Sequence, residues 1–262
     1  MTDLPSRNAR RVALVAAFGF FAGCASEPSG PQPPDAETIA KLTITQVPSA
    51  PTQTITSGYT PLNLESQRDG FLYVPVTYNP DVEAPLLVLL HGADASSDQW
   101  ATEDIELLAE SYGVVVLATD SRYETWDVAS VGRYDVDVEF LRRALAFTFD
   151  RVLVNPALVA IGGFSDGAAE AIGIGIANAH LFKHVIAFSP GILETPFKRG
   201  DIRIFLSHGH QDAVAPFAYT RDWIVPKLRQ NGQTVEFVEF EGDHSMPSDI
   251  QASAFAWLFD EG

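Results

Sequence analysis

The sequence has little cysteine and little positive charge, and both shortages narrow what the protein can be. Cys24 is the only cysteine in 262 residues, so no internal disulfide can hold the fold, which must rest on its hydrophobic core. Lys and Arg number 17 against 34 Asp and Glu, giving a formal net charge of −17. There is no stripe of basic residues, so nucleic acid binding is disfavoured. The acidity is typical of a solvated surface.

The N-terminus lacks an apolar run long enough to span a bilayer. Arg7, Arg10 and Arg11 precede an apolar stretch at residues 12–23, a pattern that predicts an export signal over residues 1–23. Phe21-Ala22-Gly23-Cys24 resembles a bacterial lipobox, with Phe21 where Leu is usual. We therefore expect lipidation at Cys24, an envelope location and membrane contact only through that anchor. Cleavage by the ordinary signal peptidase, giving a soluble secreted or periplasmic form, is the alternative.

The remaining composition predicts a tether followed by one domain. Residues 24–40 are rich in Pro, Ser and Gly and cannot bury a core, so we interpret them as a tether. No internal repeat is visible. With 46% apolar residues, the chain is long enough for one sizeable core. We assign residues 41–262 to a single domain.

The order of elements in this domain predicts the fold class. Strands are expected at 41–47, 59–64 and 71–78, with a hairpin turn at Asp69-Gly70. Continuous apolar runs such as 86–90 are typical of strands buried on both faces. From there strands alternate with helices, the helices being expected near 100–112, 135–149, 166–178, 218–231 and 248–259. This pattern predicts an α/β fold with a mostly parallel central sheet covered by helices on both faces.

One stretch carries the strongest chemical signal. Residues 159–169 pass from an apolar strand through Gly163-Phe164-Ser165-Asp166-Gly167 into small residues with helical character. Strand, sharp turn and helix are the context of a nucleophile elbow, with the glycines placed where backbones approach closely. Ser165 is therefore the predicted nucleophile.

Two further polar clusters follow later strands and supply the groups that such a serine needs. A serine hydroxyl is a poor nucleophile until a base takes its proton, and we predict His244 as that base. Asp212 would fix the imidazole tautomer and stabilise its charged form. The backbone N–H groups of Ala93 and Asp166 would form the oxyanion hole. The chain order Ser, Asp, His is that of the α/β-hydrolases, and activity should fall below about pH 6–7, where a histidine base becomes protonated.

Simpler interpretations of the same residues stay open. Ser165 could be a turn serine and His244 a surface histidine. Asp212 could be a turn or N-cap residue, with Asp243 as the substitute acid. The spacing His208-x-His210-x-Asp212 is also that of metal ligands on one face of an extended segment. No second pair of His and carboxylate matches it, so we expect no metal; His91 is interpreted as a loop-shaping residue.

Several of these segments together resemble a known family. They are His91-Gly92, Gly163 to Gly167, Ser189-Pro190-Gly191, His208-Gly209 through Asp212, and Gly242-x-His244. The chain resembles the phospholipase/carboxylesterase (acyl-protein thioesterase-like) branch of the α/β-hydrolases. The resemblance implies a Ser165–Asp212–His244 triad, an oxyanion hole at Ala93 and Asp166, and no cofactor.

The resemblance has departures that bear on substrate. Asp166 stands where these thioesterases usually have Gln, and Ala168 where Gly is usual. Ser121-Arg122 with Thr125-Trp126-Asp127 is more similar to bacterial carboxylesterases and polyester-depolymerase-like esterases. Thioesterase specificity therefore does not follow from the resemblance, and the choice between esters and thioesters stays open.

The spacing of two strands bears on the shape of the site. Between Phe188 and the strand starting near Ile202 there is no room for a helical lid, which predicts an open, shallow site. Trp100, Trp126 and Ile192 are the candidates for an acyl pocket.

We therefore expect a serine esterase that hydrolyses short-chain or soluble small-molecule carboxylic esters through an acyl-Ser165 intermediate. A peptidase or thioesterase of the same fold, and a non-catalytic envelope binding lipoprotein, are the alternatives.

Overall fold

The computed structural model describes residues 40–44, 46–48, 50–193 and 202–260. These residues all lie in one compact unit, Pro34–Gly262. The predicted signal at 1–23, the predicted lipidation site Cys24 and nearly all of the predicted tether lie outside the described residues. Among the helices of the described part, none has the length and apolar character needed to cross a membrane.

The described strands form an 8-stranded sheet in the order β1-β2-β4-β3-β5-β6-β7-β8. β1 and β2 are antiparallel to their neighbours, and all the other pairings are parallel. The strands are β1 (Gly58–Pro61), β2 (Gly70–Val74), β3 (Ala84–Leu90), β4 (Val115–Thr119), β5 (Val154–Phe164), β6 (His184–Phe188), β7 (Arg203–Gly209) and β8 (Thr234–Phe240). The predicted mostly parallel α/β sheet is confirmed.

Helices connect most of the parallel strands. A 3₁₀ turn (Ser97–Trp100) precedes the first α-helix, and a π-helical turn (Thr220–Ile224) separates α5 from α6. The α-helices are α1 (Glu103–Tyr112), α2 (Asp127–Val131), α3 (Val136–Phe149), α4 (Asp166–Ala177), α5 (Phe217–Tyr219), α6 (Val225–Gln230) and α7 (Ser248–Leu258). The single helix predicted over 218–231 is therefore interrupted. Pro226 lies at the start of α6, where its missing N–H removes one helical hydrogen bond.

The core lies on both faces of the sheet. Leu86, Val88 and Leu90 pack into one buried cluster, whereas Leu87 and Leu89 pack into a second cluster on the opposite face. This explains why the strand is a continuous apolar run rather than an alternating one. Burying one such side chain contributes about 1.5–3 kcal/mol to the stability of the fold. The buried strands therefore hold the residues at the edge of the sheet in position.

The predicted strand at 41–47 is wrong. Within the described part of that stretch the backbone pairs with no strand. Instead the Leu42 N–H donates to Asn178 Oδ1 at 2.8 Å, and Asn178 Nδ2 donates to the Ala40 carbonyl at 2.8 Å. Ala40 and Leu42 are buried in the core. The apolar pattern is satisfied by burial, with a side-chain amide in place of a neighbouring strand.

The hairpin predicted at Asp69-Gly70 forms, since β1 and β2 pair antiparallel, but residues 62–69 make a longer connection than a two-residue turn. The Asp69 carboxylate accepts the N–H groups of Asn63, Leu64 and Glu65 at 2.6–3.1 Å. Gly70 has φ +141°, and a Cβ there would lie 2.3 Å from the Ala118 carbonyl oxygen. The two residues close a longer loop against β4, which fixes the position of that loop.

Candidate active site

Ser165 lies at a strained turn between β5 and α4. Its backbone has φ 54° and ψ −118°, a conformation that costs about 1–3 kcal/mol for a residue other than glycine. Its N–H donates to the Phe188 carbonyl at 2.9 Å, which ties the turn to the end of the neighbouring strand. The strain is therefore maintained by the sheet, and the hydroxyl is presented at its carboxyl edge.

Two glycines make this turn sterically possible. A Cβ on Gly163 would lie 2.4 Å from the Gly167 carbonyl oxygen. A Cβ on Gly167 would lie 2.3 Å from the carbonyl oxygens of Leu90 and His91. Any larger residue would push the helix away from the two strands beneath it. The Gly-x-Ser-x-Gly spacing thus reflects backbone contacts on both sides of Ser165.

The structure brings Ser165, His244 and Asp212 together at the carboxyl edge. His244 Nε2 lies 2.9 Å from Ser165 Oγ, and His244 Nδ1 lies 2.6 Å from Asp212 Oδ2. The Asp212 side chain is fully buried, while that of His244 is 14% exposed. A carboxylate on Nδ1 fixes the tautomer that leaves Nε2 free to accept the serine proton. The arrangement can activate a hydroxyl group.

Asp212 accepts more hydrogen bonds than the one from His244. The backbone N–H groups of Val214 and Ala215 donate to Oδ1 at 2.9 and 2.8 Å. Burial acts to raise the pKa of Asp212, but the hydrogen bonds from His244 and from these two N–H groups outweigh it, so the pKa is lowered. Asp212 is therefore charged and held in a turn at the same time, and the turn interpretation describes how the acid is positioned.

His208 is a contact that sequence reasoning considered only as a metal ligand. Its Nε2 lies 3.1 Å from Asp212 Oδ2 and 2.8 Å from the Ala215 carbonyl. Burial lowers the pKa of His208, so the ring is neutral, and two acceptors at Nε2 place its proton there. His208 thus donates to the Ala215 carbonyl, and the same N–H lies 3.1 Å from the carboxylate oxygen that also contacts His244. Its spacing from Asp212 was the available signal.

The metal-ligand interpretation of His208 and His210 does not match the geometry. His208 is buried, whereas His210 is exposed between Glu239 and Glu241, 2.9 and 2.7 Å away. Over the ranges that the structure describes, no group of three or more His, Cys, Asp or Glu could hold a metal ion. Asp243, the alternative acid, has an exposed side chain, and it is Asp212 that contacts His244.

The predicted oxyanion-hole residues flank Ser165. Asp166 is the first residue of α4, where an N–H has no partner within the helix. Ala93 follows Gly92, whose added Cβ would lie 3.6 Å from Ser165 Cβ. The Asp166 carboxylate accepts from Thr125 Oγ1 at 2.6 Å, so its side chain turns to a neighbouring loop. Sequence reasoning did not identify this partner.

His91 shapes the loop that carries Ala93, as the sequence suggested. Its Nε2 accepts from the Ser121 N–H at 3.0 Å, and its Nδ1 lies 2.6 Å from the Gly92 carbonyl. Burial lowers the pKa of His91, so the ring is neutral, with its proton on Nδ1. Trp126 Nε1 donates to the His91 carbonyl at 2.7 Å. The loop is therefore held from both its side chain and its backbone.

The acyl-pocket prediction needs correction for the two tryptophans. Trp126 is 2% exposed and Trp100 is fully buried, so both rings belong to the core and are closed to substrate. Large aromatic residues after a strand are usually core residues. Ile192 is half-buried against the core and stays a prediction.

A cavity of about 430 Å³ lies near the elbow instead, and residues outside the earlier prediction line it. They are Arg68, Tyr123, Glu124, Thr125 and Ser130.

Comparison with protein families matches residues 140–256 to the phospholipase/carboxylesterase family. A comparison with curated protein sequences finds no match. Among solved structures, esterase PE8 is 22% identical over 73% of this chain and 98% of its own, with TM-score 0.58.

Two other structures superpose as well. Esterase Est2 of the planctomycete Thermogutta terrifontis is 19% identical over 80% of this chain and 92% of its own, with TM-score 0.58. FphF, the Staphylococcus aureus fluorophosphonate-binding serine hydrolase F, is 16% identical over 79% of this chain and 100% of its own, with TM-score 0.63.

At these identities the structural matches report the fold, and the family match covers the segment from within α3 to within α7, which includes Ser165, Asp212 and His244. The chain therefore has the α/β-hydrolase fold, and its residues 140–256 are similar to the phospholipase/carboxylesterase family.

Proposed function

We propose that the protein is a serine esterase that hydrolyses short-chain or soluble carboxylic esters through an acyl-Ser165 intermediate. The observation that carries the proposal is the continuous hydrogen-bonded series from Ser165 Oγ through His244 to Asp212 at a strained elbow. Strain of this kind concentrates at functional sites. An unused serine would have no need of either the strained backbone or the buried acid.

The proposed reaction has two halves. Ser165 Oγ attacks the ester carbonyl carbon while His244 Nε2 takes the hydroxyl proton, and the tetrahedral oxyanion is held by the N–H groups of Ala93 and Asp166. Collapse breaks the bond to the alcohol oxygen, which receives the proton from His244. A water molecule then attacks the acyl-enzyme with the same base, releasing the acid and restoring Ser165.

The preference for short or soluble esters rests on the short connection between β6 and β7. Residues 189–202 join the two strands, too few for a helical lid domain over the site. An open site gives a long acyl chain little apolar surface to bury, and each buried methylene contributes about 0.8 kcal/mol. Turnover should therefore not rise steeply with chain length.

We also propose that the enzyme acts at the bacterial cell envelope, anchored through lipidated Cys24. The support is the sequence alone: arginines, a short apolar stretch and a cysteine in lipobox register. Incorporation of labelled fatty acid into the protein, compared with a Cys24→Ala variant, tests this directly. Label in both forms, or in neither, would contradict the anchor.

The test of the nucleophile compares the protein with Ser165→Ala and with a matched surface control, Ser111→Ala. Ser111 is exposed and its hydroxyl bonds only to the Leu107 carbonyl. On p-nitrophenyl esters from acetate to decanoate, Ser165→Ala should lose about 10⁶-fold in kcat, and the control should keep its activity. A fluorophosphonate probe should label the control and not Ser165→Ala. Full activity in Ser165→Ala would show that another residue is the nucleophile.

The same measurements separate the alternatives. Faster turnover of a matched thioester or peptide amide would indicate a thioesterase or peptidase. No turnover of any substrate and no probe labelling would indicate a binding lipoprotein.

A further inference from the structure

We propose that the cavity beside the elbow recognises a carboxylate on the ester substrate, and that Arg68 is the residue that binds it. The inference rests on the proposed esterase function and adds a substrate class: esters that carry a second, free carboxyl group, such as half-esters of dicarboxylic acids.

Hydrogen bonds link two residues of the cavity wall to Asp166 and to Asp94. Its wall at Thr125 is bonded through Oγ1 to Asp166, at 2.6 Å. Its wall at Glu124 is bonded through the carbonyl to the N–H of Asp94, at 2.9 Å. Asp166 and Ala93, the neighbour of Asp94, are the two residues expected to hold the ester oxygen. We therefore infer that a group bound in this cavity lies on the side of the site where the ester oxygen is held.

Arg68 enters the cavity wall with unused hydrogen-bond donors. Its Nε donates to the Ser121 carbonyl at 2.6 Å. Its Nη2 reaches the Ala95 carbonyl, Ser121 Oγ and His91 Nε2 at 3.0, 3.0 and 3.2 Å. Throughout the described residues Nη1 has no partner. The bonds of Nε and Nη2 thus fix the orientation of the guanidinium, and Nη1 remains available to a ligand.

No carboxylate neutralises Arg68 among the described residues. All four of its bonds go to neutral acceptors, since His91 is uncharged. Arg122 lies near enough to repel it. A half-buried cation without a counter-ion favours a ligand of opposite charge, and a guanidinium matches a carboxylate in shape. Glu124, which is exposed and lines the same cavity, opposes this attraction.

The loop that carries Arg68 is built to hold it in place. Three N–H groups of residues 63–65 bind the Asp69 carboxylate. The loop is therefore closed on itself directly beside Arg68, and the charge does not depend on a flexible surface side chain.

A second cavity differs from the first in the charge of the residues that line it. That cavity, of about 480 Å³, is lined by three aspartates, Asp69, Asp98 and Asp120, and by no cation. It includes neither of the residues bonded to Asp94 and Asp166. An anionic substrate group would be repelled there and attracted at Arg68.

The experiment compares p-nitrophenyl hemiglutarate with p-nitrophenyl valerate, which have equal chain lengths and differ in the terminal carboxylate. The protein should prefer the hemiglutarate in kcat/KM, and the preference should weaken as salt is raised. Arg68→Gln should reduce the ratio of the two kcat/KM values about ten- to a hundredfold, the range expected for a hydrogen-bonded charge. Arg142→Gln, at a partly exposed arginine on α3 that pairs with Glu139, should leave the ratio unchanged.

Two further measurements keep the test sharp if Arg68→Gln does not fold. Glu124→Gln removes an exposed repelling charge and should raise the hemiglutarate preference two- to threefold. Binding of free glutarate, followed by ligand-observed NMR against glutaramide, reports the site without turnover. Phenyl esters with the carboxylate on the leaving group, run alongside, show which half of the ester the cavity takes.

The outcomes separate the two proposals. Turnover of valerate with no preference for hemiglutarate, and no glutarate binding, overturns the carboxylate site and leaves the esterase intact. Glutarate binding that Arg68→Gln abolishes supports the site even if no ester is hydrolysed. Loss of preference in Arg142→Gln as well would show a general charge effect and would also overturn the role of Arg68.

Discussion

Two buried carboxyl groups differ in charge: Asp212 is ionised, whereas Glu170 is neutral. Asp212 receives three hydrogen bonds, from His244 and two backbone N–H groups, and His208 Nε2 lies 3.1 Å from its Oδ2. Its pKa is lowered. Glu170, in α4, receives one, from the Val128 N–H at 3.2 Å. Burial, with Asp137 and Asp127 nearby, raises the pKa of Glu170 well above its usual value. Both carboxyl groups are buried, so the number of hydrogen-bond donors around each one decides whether it is charged.

The difference follows from where each residue lies. Asp212 sits in a turn after β7, where backbone N–H groups point inward. Glu170 sits within α4, where the N–H groups are already used by the helix. It bonds the N-terminal turn of α2, at Val128, to α4 and leaves Oε1 without a partner among the described side chains. The protein thus has a charged acid at the candidate active site and a neutral acid in the core.

The largest effect is expected from Asp212→Asn, which abolishes the charge of the first acid. An amide can present NH₂ to His244 and so favour the wrong imidazole tautomer, which should lower kcat by about 10⁴-fold. Steady-state kinetics on p-nitrophenyl acetate would measure this. The control is Asp243→Asn, an exposed neighbour that should retain activity. Equal losses in the two variants would mean that the assignment of the acid is wrong.

A smaller effect is expected from His208→Leu, which removes the ring N–H that lies 3.1 Å from Asp212 Oδ2. The carboxylate then concentrates its charge on the bond to His244, and the base is protonated more readily. We expect kcat to fall about tenfold at neutral pH, the value of one charge-assisted hydrogen bond. The acid limb of the kcat/KM profile should move to higher pH.

The shift of the pH profile shows whether His208 acts by positioning Asp212 or only by stabilising the fold. A variant that is only less stable would lose activity at all pH values without moving the limb. His180→Asn, which changes an exposed histidine elsewhere in the chain, is the control variant.

The smallest effect concerns Glu170→Gln and stability rather than activity. Because the folded pKa of Glu170 is raised above its unfolded value near 4.5, the folded state holds a proton that the unfolded state loses. Its stability therefore falls as pH rises from about 4.5 through the folded pKa. The glutamine cannot ionise, so the variant should gain about 1–3 kcal/mol over the parent at pH 8 and little at pH 5.

Urea unfolding at both pH values measures the gain in Glu170→Gln. Asp137, whose pKa is raised to about 6 mainly by burial, contributes to the same slope in both proteins and so cancels in their difference. A difference that is the same at pH 5 and pH 8 would contradict a neutral Glu170.

Local patterns predicted the parts of the fold that local physics controls. The continuous apolar run of β3 required burial on both faces, and Gly113 ends α1 with φ 65° as its left-handed cap. The elbow was recognisable because Gly163 and Gly167 have no sterically possible replacement. The stretch at 41–47 misled because an apolar pattern does not say whether burial is achieved through a strand partner or through Asn178.

The order of residues was enough to predict the chemistry: a serine between two glycines, an acid and a base in that order, and a surface of strong negative charge. The neighbours that tune these groups became visible in the folded protein. The contacts of Thr125 with Asp166 and of Arg68 with His91 join residues from different segments. Hydrogen bonds of this kind depend on atomic positions set by packing across the sheet, and no sequence periodicity encodes them.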